Sequence, residues 1–430
     1  MDINSSAPKH YKIICLGCHA DISGAGYALR CDCDHALLRT VYQDHRLAVT
    51  AEESMWRFSA WLPTVGKLPT CGRSVTYKSE AFARELGLSD LFISFNGYWP
   101  ENNAFLETCS FKELESPPTV QRAVENRVKT LVVSSVGNTA RAFAHTVSTT
   151  TTDLKLVLVG LESAIGKLWL PEPPSESITL VVLQRGNDYS DAIALGDRLA
   201  ALPGLTQEGG AMNVARRDGM GTVMLEAAVT IGRAPDHYFQ AVGSGTGGIA
   251  AWEASLRLKQ DGRFLNGPLP KLHLSQNLPF APMVNAWNAN RRTIEPSIDM
   301  PDAKKSIEKI HADVLSNRNP AYSVKGGVFD ALKSTKGQMY AVSNVEARRA
   351  ARLFEELEGV DIVPAAAVAA ASLMQAVARG GMNDSDVVLL NVTGGGVQNL
   401  EEDRDCYQIK SDIRLATPEA DLGELQEALM

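Results

Sequence analysis

Residues 241–250 read AVGSGTGGIA, and the stretch GSGTGG (243–248) within them has the form G-x-G-x-x-G. A short apolar run, Tyr238–Val242, precedes the glycines, and we expect a helix to follow them. A glycine turn between a strand and a helix presents backbone N–H groups to an anion. The pattern therefore predicts a phosphate site, although by itself it does not distinguish a dinucleotide from a single phosphate group.

Outward from this stretch, short apolar runs alternate with segments of helical pattern from residue 130 onward. The runs lack helical periodicity, which is typical of strands buried on both faces of a sheet. The predicted strands are Thr130–Ser134, Leu154–Val159, Ile178–Leu183, Tyr238–Val242, Gln338–Val342 and Val387–Asn391, and the predicted helices are Tyr189–Leu202, Gly221–Ile231, Val345–Glu358 and Ala366–Ala378. His145–Asp153 and Pro171–Ser177 are predicted loops. This alternation predicts an α/β fold with a parallel sheet.

Three of the predicted strands end in glycine-rich turns: SSVGNTARAF (134–143), VGSGTGGIAAW (242–252) and LLNVTGGGVQNL (389–400). In parallel sheets, ligands bind at the carboxyl ends of the strands, where helix N-termini offer unpaired N–H groups. Three such turns in one chain predict a ligand held from several sides.

The dinucleotide interpretation requires an acidic residue about 20 positions after the glycines, at the end of the next strand. Asp261 has roughly this offset, but it lies in the polar turn KQDGR with no strand before it. We therefore favour a single phosphate group cradled by the backbone of Gly243–Gly247.

The composition excludes several classes of protein. A chain of 430 residues exceeds one compact core, so we expect two or three domains. The net charge of −8 argues against a nucleic-acid partner. We find neither an apolar run long enough for a membrane span nor the apolar core of a secretory signal. Seven cysteines, an odd number, favour a reducing compartment. We expect a cytoplasmic protein.

Four of the cysteines, Cys15, Cys18, Cys31 and Cys33, lie close together as C-x2-C-x12-C-x-C. Two thiolate pairs at short spacing can surround a tetrahedral Zn²⁺, but the second pair is one residue shorter than the usual C-x2-C. His19 or His35 could replace Cys33 as a ligand. The alternative is a β-ribbon that carries these cysteines without metal.

A further candidate lies in ETCSFKELE (107–115), where Lys112 follows Phe111. A lysine beside an aromatic ring can be desolvated and become a reactive amine. The alternative is an ordinary surface helix on which Lys112 points to water.

Taken in order, these segments resemble a known family. SFK (110–112), S-x-G-N-T (135–139), GSGTGG and TGGG (393–396) follow the order found in fold-type II pyridoxal-phosphate (PLP) enzymes, of which threonine synthase is the nearest broad relative. GNDYSDA (186–192) and NVARRDGMGT (213–222) resemble threonine synthase segments. Long stretches, among them residues 76–115, 209–232 and 236–264, resemble the cysteate synthase family more closely, over nearly the whole chain.

The resemblance implies an α/β fold of the fold-type II, tryptophan synthase β-like class, with two parallel-sheet domains of three layers each and PLP in the cleft between them. It implies an N-terminal Cys-containing ribbon at 1–40, a large domain formed by 41–125 and 233–430, and a small domain at 126–232. Homodimers are common among such enzymes.

The resemblance also implies a role for each site residue. Lys112 would carry PLP as a Schiff base and later move the Cα proton. The cofactor phosphate would lie on Gly243, Ser244, Gly245, Thr246 and Gly247, the 3′-oxygen on Asn138 and the pyridine nitrogen on Thr393. A hydroxyl beside that nitrogen leaves it unprotonated, which favours elimination at the β-carbon. Ser135 and Thr139 would bind the substrate carboxylate, and Arg216 and Arg141 are candidates for anionic substrate groups. Without the family, a solvated pair at a helix start is the alternative for Arg216 and Arg217.

The implied reaction is a β-replacement, in which O-phospho-L-serine loses phosphate and sulfite adds at Cβ to give L-cysteate, as in coenzyme M biosynthesis. Three alternatives remain open. Threonine synthase acts on O-phosphohomoserine and water, but SFKE replaces its usual SFKDR. The others are a β-replacement with another nucleophile in a specialised amino-acid pathway, and a binding protein that keeps the fold without turnover.

Several positions depart from the cysteate synthase pattern. A lysine is missing at Asn102 or Asn103, Val136 and Ala140 replace smaller residues, and the last glycine loop begins with Thr393 instead of alanine. The segment Pro364–Ala366 reads PAA where the pattern has PPS. These departures bear on the nucleophile, and not on the fold or the cofactor.

Overall fold

Two main sheets, one of six strands and one of five, form the framework of the described residues. The structure, a computed structural model, describes residues 9–33, 36–69, 71–135 and 137–429; His35 and Val136 lie outside the described residues. The larger sheet has its six strands in the order Gln338–Val342, Lys271–Asn277, His237–Ala241, Val388–Val392, Leu91–Phe95 and Val75–Lys78. All neighbours are parallel except the last strand, which is antiparallel to Leu91–Phe95. Its central strands are buried along their whole length, as apolar runs without alternation require.

The smaller sheet has five parallel strands, in the order Leu205–Gln207, Thr130–Ser134, Lys155–Leu161, Ile178–Leu183 and Ile413–Leu415. Four of them fall between residues 126 and 232, the segment that the sequence assigns to the small domain. The fifth, Ile413–Leu415, comes from the C-terminal segment that the sequence assigns to the large domain. The chain thus returns to the smaller sheet near its end.

Three two-stranded sheets complete the β-structure of the described residues. In the first, Tyr11–Cys15 pairs antiparallel with Leu38–Tyr42 and forms the N-terminal ribbon, which confirms the predicted Cys-containing segment. The others pair Tyr98–Trp99 with Ala104–Phe105 and Trp169–Leu170 with Tyr407–Gln408.

Helices cover the sheets, and the predicted helices are all present. The α-helices are Ala81–Leu86, Ser116–Glu125, Asn138–Thr149, Tyr189–Ala200, Val214–Ile231, Thr246–Asp261, Pro282–Asn288, Pro296–Asp299, Ala303–Ile307, Val328–Thr335, Asn344–Glu358, Pro364–Ala378, Val397–Asp403 and Gly423–Leu429. Val214–Ile231 begins seven residues before the predicted start, because Asn213 caps it with its side chain on the Ala215 N–H. Within the described residues, no helix combines the length and apolar character that crossing a bilayer requires.

One predicted loop is wrong. Residues 145–149 of the predicted loop His145–Asp153 belong to the helix Asn138–Thr149, and Val147 packs in the core beneath the smaller sheet. The threonine hydroxyls that suggested a loop bond back to the helix: Thr149 donates to the His145 carbonyl at 2.8 Å and Thr150 to the Thr146 carbonyl at 2.5 Å. These threonines therefore lie at the end of the helix.

Candidate active site

A cavity opens where the carboxyl ends of strands from both sheets face each other. Its lining contains most of the residues that the sequence singles out: Lys112, Ser135, Asn138, Thr139, Arg216, Gly243, Ser244, Gly245, Thr246, Gly247 and Thr393. Ala365, from one of the segments that depart from the family pattern, lines it as well. The fold thus brings the three glycine-rich turns to one place.

The glycine loop joins the strand His237–Ala241 to the helix Thr246–Asp261, whose N-terminus faces the cavity. Gly245 has a φ of +84°, and a Cβ atom there would collide with the Val328 side chain. A Cβ atom on Gly247 would collide with the Gln240 amide. Because the first turn of a helix leaves its N–H groups without intrahelical partners, this loop is a suitable cradle for a phosphate monoester.

The acidic residue weighed for a dinucleotide lies elsewhere. Asp261 ends the same helix at its far end, where it accepts hydrogen bonds from the Leu47 N–H at 2.6 Å and from the Arg263 side chain. It therefore does not reach a ligand bound at Gly243–Gly247.

Lys112 lies in the short 3₁₀ helix Phe111–Leu114, which Ser110 caps through its hydroxyl. The side chain is only 18% exposed, and its Nζ atom lies 3.4 Å from Glu115 Oε2 and 5.0 Å from the centre of the Phe111 ring. Burial lowers the pKa of Lys112, while the Glu115 carboxylate acts in the opposite direction. The surface-helix alternative for Lys112 is therefore wrong.

Arg216 lies on the helix Val214–Ile231 and shares the Glu115 carboxylate with Lys112. Its Nε donates to Glu115 Oε2 at 2.9 Å, its Nη1 to Glu208 Oε2 at 2.7 Å and its Nη2 to Thr139 Oγ1 at 3.2 Å. Burial disfavours the charged guanidinium, but the carboxylates of Glu115 and Glu208 raise the pKa of Arg216 above its usual value. A fixed cation therefore faces the cavity beside the lysine.

The turn after the strand Thr130–Ser134 contributes Ser135, Asn138 and Thr139 to the lining. Ser135 Oγ accepts the Gly137 N–H at 3.3 Å, and Asn138 begins the helix Asn138–Thr149. On the opposite side, the buried Thr393 follows the strand Val388–Val392, and its carbonyl accepts the Phe111 N–H at 3.1 Å. Thr393 is thereby tied to the segment that carries Lys112.

Arg141 is placed differently from the other candidates, because it is not part of the cavity lining that the described residues form. It is buried within the helix Asn138–Thr149 and does not face solvent. Its Nη2 atom donates to the Thr108 carbonyl at 2.6 Å and to Asn138 Oδ1 at 3.2 Å, and its guanidinium lies 4.0 Å from the Trp169 ring centre. Its link to the cavity runs through Asn138.

The solvated alternative for Arg216 and Arg217 is wrong as well. Both side chains are buried, and Arg217 pairs with Glu253, Nε to Oε2, at 3.0 Å on the side away from the cavity. Sequence reasoning missed the acidic partners Glu115 and Glu208. Glu115 is detectable in retrospect from its position three residues after Lys112, whereas no local signal marks Glu208.

The four cysteines form a group of their own in the ribbon. The Sγ atoms of Cys15, Cys18, Cys31 and Cys33 all lie within 4.8 Å of one another. His19, weighed as a substitute ligand, is not part of this group of described residues, and His35 lies outside the described residues.

The chain matches the family described as "Pyridoxal-phosphate dependent enzyme" over residues 73–394. Among curated proteins, it is 56% identical to a cysteate synthase of Methanosarcina acetivorans over 96% of this chain and 98% of that protein. It is 54% identical to a cysteate synthase of Methanosarcina barkeri (97% and 99%) and 53% identical to one of Methanocella paludicola (97% and 97%).

Solved structures agree on the fold. Maize serine racemase superposes with a TM-score of 0.56 at 14% identity, covering 78% of this chain and 92% of that one. A pyridoxal 5′-phosphate-dependent aspartate racemase gives 0.57 at 15% identity, covering 76% and 92%. With the family match over most of the chain and high identity along nearly all of it, these comparisons confirm the fold-type II architecture. The chain belongs to the pyridoxal-phosphate-dependent enzymes and, within them, to the cysteate synthase family.

Proposed function

We propose that this enzyme converts O-phospho-L-serine and sulfite into L-cysteate and phosphate. The observation that carries the proposal is the shared carboxylate of Glu115, which holds the amine of Lys112 and the guanidinium of Arg216 side by side in the cavity. A β-replacement needs an amine that moves a proton at Cα and a cation that receives a departing anion. The relatives named cysteate synthase, at more than half identity, support the same reaction.

The cavity fits PLP by the chemistry of its lining. The glycine loop Gly243–Gly247 would hold the phosphate, Asn138 the 3′-oxygen of the ring and Thr393 the pyridine nitrogen. Lys112 would attach the cofactor covalently. When bound, PLP supplies an electron sink for the charge that develops at Cα of the substrate.

Lys112 is suited to proton transfer at Cα. Because burial lowers the pKa of its ammonium group, a larger fraction of the amine is neutral near neutral pH than in a solvated lysine. The Glu115 carboxylate, 3.4 Å from Nζ, stabilises the protonated form that results from taking up the proton. The same pair can then return the proton to Cα after the nucleophile has added.

Arg216 would bind the phosphate of the substrate and later the incoming sulfite, since a fixed guanidinium suits oxyanions of both kinds. Thr139 and Ser135 would donate hydroxyl hydrogen bonds to the substrate carboxylate. Arg141 was a second candidate for an anion; from its contact with Asn138 Oδ1 we propose instead that it orients Asn138. The substrate and the nucleophile are therefore both small anions.

The proposal also extends to the setting of the enzyme. We propose that the enzyme is cytoplasmic and forms a homodimer, the latter because homodimers are common among fold-type II enzymes. Light scattering of the purified holoenzyme measures the mass in solution, and a monomeric mass would contradict the dimer.

The test measures phosphate release from O-phosphoserine by the purified, yellow enzyme, with and without sulfite, and identifies the amino-acid product by mass spectrometry. We expect cysteate only when sulfite is present. Phosphate without cysteate would retain the elimination and point to another nucleophile. No phosphate release would contradict the proposal and direct attention to O-phosphohomoserine.

Two variants calibrate this measurement. Lys112→Ala removes the proton-transferring amine, and we expect turnover to fall by about 10²-fold or more. Lys410→Ala, at an exposed lysine outside the cavity, should leave turnover unchanged. Equal activity of the two variants would contradict the role of Lys112.

A further inference from the structure

The cysteine group in the ribbon has the dimensions of a metal site. Cys15 Sγ lies 3.3 Å from Cys33 Sγ, Cys18 Sγ lies 3.5 Å from Cys31 Sγ, and all four atoms are within 4.8 Å of one another. A tetrahedral zinc ion with Zn–S bonds of about 2.3 Å places its sulfur ligands about 3.8 Å apart. The two shortest separations are 0.3–0.5 Å below that value, and the limit of 4.8 Å for the other pairs includes it.

The backbone around the first cysteine pair holds its sulfur atoms close to those of the second pair. The Gly17 N–H donates to Cys15 Sγ at 3.3 Å, a contact that stabilises a thiolate. A Cβ atom on Gly17 would lie 3.0 Å from Cys33 Sγ, so a larger residue there would crowd the second cysteine pair. The His19 N–H closes the turn on the Cys15 carbonyl at 2.9 Å.

The way the cysteines pair also explains how Cys31 and Cys33 can bind zinc although they are one residue closer together than in the usual C-x2-C motif. Cys31 and Cys33 do not act as one knuckle, since Cys33 faces Cys15 and Cys31 faces Cys18. Because Cys31 and Cys33 contact different cysteines of the first pair, the short C-x-C spacing still allows four sulfur atoms to surround one ion.

We propose that Cys15, Cys18, Cys31 and Cys33 bind one structural zinc ion, with the thiol protons released to solvent. This site is separate from the PLP cavity and goes beyond the proposed function. Four protein ligands close the coordination sphere, so the ion has no open position for substrate. Its role must therefore be to hold the chain.

The segment that the ion would hold, residues 18–31, leads to the wall of the cavity. Tyr27 Oη accepts a hydrogen bond from Asn213 Nδ2 at 2.8 Å and donates to the Glu208 carbonyl at 3.4 Å. Leu29 packs so closely on Gly209 that a Cβ atom added to Gly209 would collide with the Leu29 side chain. The segment thus supports the turn that connects Glu208 to Asn213.

This turn determines where Arg216 lies. Glu208 Oε2 accepts Arg216 Nη1 at 2.7 Å, and Asn213 caps the helix that carries Arg216. We therefore assign to the zinc ion a positioning role for Arg216 through Tyr27. This second half rests on the proposed function, whereas the metal site itself does not.

The first experiment measures metal in the full-length holoenzyme, purified under reducing conditions without chelator. Elemental analysis should find about one zinc ion per chain, and a mercurial thiol reagent should release it. Absence of zinc together with no uptake of added Zn²⁺ would overturn the site. So would iron with visible absorbance of its own, or disulfides among these cysteines in the denatured, alkylated protein.

Three variants test the positioning role. Cys18→Ser should lose the zinc, and its KM for O-phosphoserine should rise about three- to tenfold with kcat little changed, as expected for a lost positioning contact. Tyr27→Phe should show the same rise in KM while retaining zinc. Cys406→Ser, at an exposed cysteine outside the group, should change neither quantity.

The outcomes separate the two halves. Should Cys18→Ser fail to fold, zinc content of the unaltered enzyme and KM of Tyr27→Phe still decide both questions. An unchanged KM in Tyr27→Phe would overturn the positioning role and leave the metal site standing. If O-phosphoserine is not a substrate at all, the zinc measurement remains valid, because it does not depend on turnover.

Discussion

Glu115 and Arg216 lie 101 positions apart in the chain, yet one oxygen of Glu115 serves both Arg216 and Lys112. Two cations beside one carboxylate would repel each other if both stayed charged. Burial resolves the conflict at the lysine, where it lowers the pKa, while the carboxylates keep the arginine charged. A single carboxylate therefore lies between a lysine whose amine burial makes easier to deprotonate and an arginine that stays charged.

The adjacent arginines of the helix Val214–Ile231 allow a matched prediction. Arg216→Lys loses the forked contacts to Glu115 and Glu208, and we expect KM for O-phosphoserine to rise about 10- to 100-fold, the value of a charged hydrogen bond. Arg217→Met leaves Glu253 with Arg39 as its remaining close partner, and we expect the free energy of unfolding to fall by about 3 kcal/mol.

Steady-state kinetics and urea unfolding of both variants provide the check. If KM rises in Arg217→Met and stays unchanged in Arg216→Lys, the proposed role of Arg216 is wrong.

At the scale of elements, six strands of the two main sheets could be predicted from the sequence, but the contacts between the strands could not. Thr130–Ser134, Ile178–Leu183 and Gln338–Val342 have the same bounds in sequence and structure, because an apolar run ended by polar residues marks a buried strand locally. Lys271–Asn277, KLHLSQN, was missed, since its buried histidine, serine and amides look like a surface segment. Groups distant in the sequence make this burial possible: His273 bonds to His237 and Tyr340 on the neighbouring strands, and Gln276 Oε1 accepts two N–H groups of the helix Pro282–Asn288.

The same limit applies to the candidate site. The glycine turns, Lys112 and Thr393 could be identified from local sequence and family resemblance. The Glu208–Arg216 pair and the inward position of Arg141 depend on packing between segments that the sequence does not place together. Whether a charged side chain is buried depends on the tertiary fold, and the local sequence pattern around these residues does not indicate their burial.

The helix Asn138–Thr149 yields a prediction on pH. Nδ1 of His145 lies 3.0 Å from Glu172 Oε1, and Nε2 of His145 lies 3.7 Å from Glu113 Oε1. Burial opposes its charge, but these carboxylates raise the pKa of His145 to about 9. Because the unfolded value is about 6.5, the stabilisation is fully present below pH of about 6.5 and is lost as the pH rises through about 9.

We therefore expect the free energy of unfolding to fall, on the order of 1–3 kcal/mol, between these pH values. Urea unfolding at both ends of the range measures it. His145→Gln is the control for other groups that titrate there, and its curve should be flatter. Parallel curves for the two proteins would contradict the assignment.

At the scale of the whole molecule, the path of the chain ties the two sheets together. After contributing to the larger sheet, the chain returns to the smaller one, where Ile413–Leu415 pairs with Val181–Leu183. Asp412 reinforces this return by accepting the Leu180 N–H at 2.8 Å and donating its own N–H to the Leu180 carbonyl at 3.0 Å. The cavity therefore lies between two sheets, and the smaller of them takes its edge strand Ile413–Leu415 from a distant part of the chain.

Removal of residues 411–430 should therefore weaken the smaller sheet first. The deletion exposes the edge of Ile178–Leu183 and the apolar side chains that Leu422 covers, so we expect lower thermal stability and aggregation through the uncovered edge. The glycine loop follows a strand of the larger sheet, and none of residues 411–429 lines the cavity that contains it. Yellow colour from bound PLP should thus persist in the soluble fraction at low temperature, while limited proteolysis cuts first between residues 150 and 207. Equal protease resistance of the intact and shortened chains would show that the returning strand is not what holds the smaller sheet together.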